Sequence, residues 1–159
     1  MKSKSKNTPP GDKGDGLTPL GTGGKAMILA AGMGTRLKPF TDKYPKALAM
    51  VNGKSLLQRN IEYLQNFGIK KVIVNVHHFA DQVIDLVKQK NGFGSNIIIS
   101  DETGKILETG GGLKKAAWFF KDSAAFILLN VDVLTALHIG LMIKQHLLQK
   151  PLATLAVTN

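Results

Sequence analysis

Gly32-Met33-Gly34-Thr35-Arg36, with Lys46 ten positions further on, is the segment of this chain whose residue types most resemble working chemistry. Two glycines one residue apart let backbone N–H groups approach an anion, and Thr35 adds a hydroxyl donor. Arg36 supplies a planar fork suited to a phosphate, and Lys46 a compact point charge. Arg36 is one of only two arginines in the chain, which suits a position chosen for that fork. The plainer alternative is a solvated glycine turn with ordinary surface cations. Two further segments combine similar groups. Asp101-Glu-Thr-Gly-Lys-Ile-Leu-Glu-Thr-Gly-Gly-Gly112 joins acids to a triple glycine, where a flat base or ribose can lie against bare backbone. Its alternative is a helix cap at Thr109 followed by a turn. Asp132 follows an apolar run and Asn130, and a carboxylate there can take up Mg²⁺, a hard ion that prefers oxygen ligands. Its alternative is an Asp that caps the next helix.

Alternating strands and helices must position these three segments. The apolar run Lys25–Ala31 predicts a buried strand opening into the glycine turn. Residues 71–76, 96–100, 125–130 and 152–157 predict four more strands. Between them, Ser55–Phe67, Ala80–Gln89, Gly111–Phe120 and Thr135–Gln149 predict helices. Ser55 and Gln58 fit a capping box, Gly68 fits a C-terminal stop, and Pro151 halts the last helix. Such alternation implies βαβ units: an α/β, Rossmann-like doubly wound sheet, mostly parallel, with helices on both faces. In open sheets of this kind ligands bind at the carboxyl ends of strands, where all three segments fall.

Composition bounds the rest. The chain has 159 residues, no Cys and a formal charge of +10. Length suits one domain, and zero Cys excludes disulfides, thiolate metal sites and cysteine nucleophiles. No apolar run approaches the roughly 18 residues of a membrane span, and no secretory signal is visible, so a cytoplasmic protein that does not engage membranes is expected. Residues 1–25 read as a disordered basic tail or leader, and 26–159 as the domain. The lysines are dispersed without interleaved aromatics, a pattern that does not argue for nucleic acid.

Neighbouring motifs fail. Gly32-x-Gly34-x-x-Leu37 lacks the third glycine of a dinucleotide fingerprint, and Asn75-Val-His-His78 lacks the acid that would hold a ribose. Gly53-Lys54-Ser55 resembles the end of a P-loop, but position 48 is Leu. His77 and His78 have no third ligand at zinc spacing and read as strand-end residues. His138 and His146 are too far apart on one helix for a paired site. Trp118, Phe119 and Phe120 read as packing residues.

Ala30-Ala-Gly-Met-Gly-Thr-Arg36 with Pro45-Lys46-Ala-Leu48 resembles the signature loop of the sugar-1-phosphate nucleotidylyltransferases. Leu107-Glu-Thr-Gly-Gly-Gly112, Asn75-Val-His-His78 and Asn130-Val-Asp132 are similar to one branch, which holds N-acetylmuramate-1-phosphate uridylyltransferases and proteins labelled mannose-1-phosphate guanylyltransferase. The resemblance runs from Lys25 to Asn159. It implies transfer of a nucleoside monophosphate from a nucleoside triphosphate to a sugar 1-phosphate, in nucleotide-sugar and cell-wall biosynthesis, with UTP favoured and GTP next. It also implies catalytic roles for Arg36 and Lys46, and Asp132 as a ligand of Mg²⁺. Nucleotide contacts are implied for Ala30, Ala31, Gly32, Gly34, Thr35, Arg36, Lys46, Asn75, Thr109, Gly110 and Gly111. Many relatives carry Gly where this chain has Val131.

The chain ends at Asn159 directly after an apolar run, with no closing helix, so a fold interrupted at its C-terminus is expected. In the resembled family the sugar-binding loops and a second magnesium-binding aspartate lie beyond this point. Low transferase activity from these residues alone is therefore expected. Two other classes stand beside the enzyme: a non-catalytic nucleotide-binding or regulatory fragment that self-associates as a homo-oligomer, and a basic nucleic-acid binder.

Overall fold

The computed structural model describes Leu20 and residues 23–157; most of the expected basic tail lies outside the described residues. Among the described residues, six strands and four α-helices follow in order: β1 (Lys25–Leu29), β2 (Met50–Val51), β3 (Lys54–Ser55), α1 (Leu56–Gln65), β4 (Lys71–Val76), α2 (Ala80–Gln89), β5 (Asn96–Asp101), α3 (Glu108–Ala116), β6 (Ile127–Asn130) and α4 (Ile139–Gln149). Four strands form one parallel sheet in the order β5-β4-β1-β6.

Alternation along each strand divides the core between the two faces, as period-two geometry requires. Ala26 and Ile28 of β1, with Val72, Val74 and Val76 of β4, pack with residues of α1, α2 and α4. Met27 and Ile73 point the other way, against Ala116, Phe119 and Phe120. Helices thus cover both faces, as the alternation predicts.

The expected capping box forms only by its Ser55 half, and the expected glycine stop forms in full. The Ser55 hydroxyl accepts from the Gln58 N–H at 3.1 Å, while the Gln58 side chain turns away to Glu62. Past α1, Gly68 takes a φ of +74°. There Ile69 N–H donates to Leu64 C=O and Gly68 N–H to Gln65 C=O, a Schellman closure that carries fully buried Ile69 into the core.

Three expectations are corrected. Residues 152–157 form no strand: Leu152, Leu155 and Val157 are exposed, and no neighbouring strand pairs with them. The helix expected from Gly111 to Phe120 starts at Glu108, absorbs the triple glycine, and ends at Ala116 before a 3₁₀ turn, Ala117–Phe120. The helix expected from Thr135 begins at Ile139, where the His138 ring nitrogen Nδ1 accepts from Leu141 N–H at 3.2 Å. The failed P-loop ending is instead a hairpin: Asn52 and Gly53, both at positive φ, turn β2 into β3.

Candidate active site

The chain runs from β1 out to β4 and β5 on one side, then returns to β6 on the other side of β1. The strand order therefore reverses at β1, and the carboxyl end of the strand at such a reversal is where open sheets of this kind place their ligand crevice. Leu29 pairs with Asn75 on one side and Asn130 on the other, so the loops after β1, β4 and β6 leave the sheet side by side.

The loop after β1 folds back through three 3₁₀ turns, Thr35–Leu37, Phe40–Asp42 and Lys46–Leu48. Gly34 is left-handed at φ +64°, and its carbonyl accepts from Leu37 N–H and the Thr41 hydroxyl. A side chain at Gly34 would sit 2.8 Å from the Thr41 methyl and 3.1 Å from Lys46 Cβ. Glycine is required twice over, by conformation and by space. Among the described residues, the N–H groups of Gly32, Met33 and Gly34 have no acceptor in the protein. Thr35 and Arg36 are exposed beside them.

Lys46 returns over this turn. Its Nζ would lie 3.3 Å from a Cβ placed on Gly32, and it meets Asp132 Oδ2 at 3.3 Å. Two residues singled out separately in the sequence thus become neighbours at the strand crossover. Asp132 is set by its predecessor: Val131 is fully buried, its N–H donates to Leu29 C=O, and its C=O accepts from Asn60 of α1 at 2.8 Å. The valine is a core residue and leaves the adjacent carboxylate turned to the crevice.

Asn75 is buried, and its amide is engaged within the protein: Oδ1 accepts from Ala30 N–H at 2.7 Å, and Nδ2 donates to Glu102 Oε1 at 3.0 Å. Both ends of the Asn75 amide are thus committed to protein groups. Ala30 and Ala31 are buried beneath the glycine turn. Thr109 and Gly110 are exposed on the first turn of α3, with Gly111 half-buried against Leu107. Thr109 does not cap α3, whose start carries no side-chain cap.

Sequence reasoning missed two residues. Glu102, 2% exposed, accepts from Asn75 through Oε1 and from Leu107 N–H through Oε2. Gly112 lies against that pair, since a Cβ there would fall 2.7 Å from Glu102 Oε1. An acid immediately after an apolar strand was the available signal, the same one that drew attention to Asp132. His77 accordingly serves the strand end, its Nδ1 lying 2.7 Å from the Glu102 carbonyl oxygen. Phe119 and Phe120 pack as expected, whereas Trp118 is largely exposed.

N–H groups without a protein acceptor and a lysine ammonium beside them are chemically suited to an anion. Residues 25–159 match the model of the nucleotidyl transferase family, and the chain belongs to that family. N-acetylmuramate alpha-1-phosphate uridylyltransferase of Caulobacter vibrioides is 40% identical over 117 residues, covering 72% of this chain and 48% of that protein. Mannose-1-phosphate guanyltransferase of Saccharomyces cerevisiae is 35% identical over 112 residues, 69% of this chain and 31% of that one. Among solved structures, HddC from Yersinia pseudotuberculosis complexed with GMP-PN superposes with a TM-score of 0.69 at 33% identity, over 77% of this chain and 54% of that chain. The chain spans about half the length, or less, of the curated relatives it matches. Among the described residues, no helix is long and apolar enough to cross a membrane.

Proposed function

We propose that the chain is the nucleotide-binding portion of a sugar-1-phosphate nucleotidylyltransferase. It would join a nucleoside monophosphate to a sugar 1-phosphate and release pyrophosphate. The observation that carries this reading is the meeting of Lys46 and Asp132 over the Gly32–Gly34 turn, at the point where strand order reverses.

In this reaction an anionic oxygen of the sugar 1-phosphate attacks the α-phosphorus of the triphosphate in line. The bond to the α–β bridging oxygen breaks, and its electron pair leaves with pyrophosphate. The attacking oxygen is already ionised, so no covalent nucleophile or strong base is needed. Catalysis becomes positioning and charge neutralisation. The turn's N–H groups and Arg36 hold phosphate oxygens, and Lys46 stands where charge builds on the transferring group. Thr109, Gly110 and Gly111 offer bare backbone and a hydroxyl to the base and ribose.

The donor set also fits Mg²⁺. Among the described residues no three metal-binding side chains cluster, but an ion that takes one carboxylate and completes its shell with phosphates and water needs no such cluster. Asp132, partly exposed beside Lys46, is the residue that would hold it. When bound, the ion offsets the negative charge of the triphosphate.

UTP ranks first and GTP second, on the higher identity of the Caulobacter uridylyltransferase compared with the yeast guanyltransferase. N-acetylmuramate 1-phosphate is the corresponding first choice of acceptor, which would place the reaction in cell-wall precursor synthesis in the cytoplasm. Residues 1–159 alone bind nucleotide and turn it over poorly in this reading. One observation favours a second reading, a self-associating nucleotide-binding fragment. β6 lies at one edge of the sheet, with Leu128 exposed on it and Phe126 exposed just before it.

Thermal shifts with UTP, GTP, CTP, dTTP and ATP, with and without Mg²⁺, test both readings when combined with size in solution. A Mg²⁺-enhanced shift for one base, lost in Lys46→Ala, supports the first. A cooperatively melting protein that responds to none of the five rejects it. A dimer that binds nucleotide and shows no transfer favours the second.

A further inference from the structure

A buried carboxylate is costly unless its lone pairs are answered by donors. Glu102 is 2% exposed, and no Lys, Arg or His among the described residues forms an ion pair with it. Its two oxygens are answered by two different parts of the chain. Oε1 takes the Asn75 amide, whose other end holds Ala30 N–H at 2.7 Å, and Oε2 takes Leu107 N–H at 3.2 Å. The Gly112 backbone lies so close that a Cβ would reach 2.7 Å from Oε1 and 3.0 Å from Asn75 Nδ2. One side chain therefore ties the start of the Gly32–Gly34 turn to the segment that opens α3.

We propose that Glu102 is a positioning residue: through Asn75 it locks the phosphate-facing loop after β1 in register with the glycine segment of α3, so that one nucleotide meets both. This rests on the nucleotide-binding reading above. Glu102 touches no nucleotide itself. It sets the spacing between the loop that takes the phosphates and the loop that takes the base and ribose. Such a tether acts by preorganisation, since a ligand spanning two loops otherwise has to order their relative placement at its own expense.

The hydrogen-bond polarity makes a specific test. In Glu102→Gln one oxygen becomes an NH₂ group, and either orientation sets it against a donor, Asn75 Nδ2 or Leu107 N–H. Adding Asn75→Asp restores the complement. The carboxylate introduced there accepts from both Ala30 N–H and the amide introduced at position 102, whose oxygen still accepts from Leu107 N–H. The experiment measures UTP and GTP affinity with Mg²⁺ by calorimetry, alongside amide hydrogen exchange of the ligand-free proteins. The expected result for Glu102→Gln is an affinity loss of at least about tenfold. Faster exchange is expected in residues 30–36 and 107–112 together, with the strand cores still protected, and the double variant recovers both readouts. Wild-type affinity in Glu102→Gln overturns the proposal, as does loosening confined to one segment or a double variant no better than the single one. If the wild-type chain binds neither nucleotide, the functional reading fails on its own. Exchange then decides the tether: joint loosening with rescue supports it, and its absence removes it.

Discussion

Lys46 Nζ stands 3.3 Å from Asp132 Oδ2, an ion pair between the loop that leaves β1 and the loop that leaves β6. The two side chains carry opposite charge into one crevice. A triphosphate attracts the lysine and repels the carboxylate, so each partner has a distinct signature.

Lys46→Ala removes the attractive half. Exposed pairs contribute about 0–1 kcal/mol, and this one is only partly buried, so melting should change little. Nucleotide affinity should fall by about tenfold or more, as expected for losing a charged hydrogen bond to phosphate. Calorimetric titration beside a melting curve separates the two effects. A large fall in stability with unchanged affinity would contradict the assignment.

Asp132→Asn removes the repulsive half. Without divalent ions the variant should bind nucleotide as tightly as wild type or more tightly, because a like charge has gone from beside the phosphates. The increment that Mg²⁺ adds to wild-type binding should disappear. Titrations in EDTA and in Mg²⁺ read both, and an undiminished Mg²⁺ increment would remove Asp132 as the metal ligand.

The glycines separate by what surrounds them. Gly34→Ala forces a side chain into a left-handed position and within 2.8 Å of Thr41, and should cost about 1–3 kcal/mol. Gly110 has open space around its missing Cβ and lies within α3, so Gly110→Ala should gain up to about 1 kcal/mol of stability. The same alanine should weaken nucleotide binding, if bare backbone there meets the base or ribose. Denaturant midpoints and affinities of the two variants should therefore move independently.

Lys25 anchors the first strand. Its ammonium donates to Phe119 C=O at 2.7 Å and to the Asp122 carboxylate, and lies over the Phe119 ring. That hydrogen bond, helped by Asp122's own backbone, holds the Asp122 carboxyl below its ordinary value. The unfolded chain, with a carboxyl near about 3.9, binds the proton more readily. The contribution is thus present above that value and lost as pH falls through the lowered folded value. Wild type should lose thermal stability on acidification below about pH 4 slightly more steeply than Asp122→Asn. Identical slopes would show that the contact is too exposed to matter.

Much was legible in residue order. The βαβ rhythm follows from apolar runs of strand length separated by helical periodicity, and the caps at Ser55 and Gly68 are local chemistry that needs no tertiary partner. In the sequence Gly34 reads only as a place where backbone N–H groups can approach an anion; its positive φ emerges from the fold. Leu152–Val157 shows the limit of such reading. An apolar run licenses a strand only where a neighbouring edge supplies hydrogen bonds, and none of the described strands pairs with it.

Residue order alone specifies which groups the strand-end loops carry: the glycine turn, Arg36, Lys46 and Asp132. It does not specify which of them meet. That depends on strand order, because β6 returning beside β1 brings Asp132 to Lys46, and β4 lying on the other side brings Asn75 to Ala30. Glu102 shows the division most clearly. In sequence it is one of several acids in a polar stretch. Only the folded chain buries it, and a carboxylate buried among donors from separate segments acquires a role that no local pattern encodes.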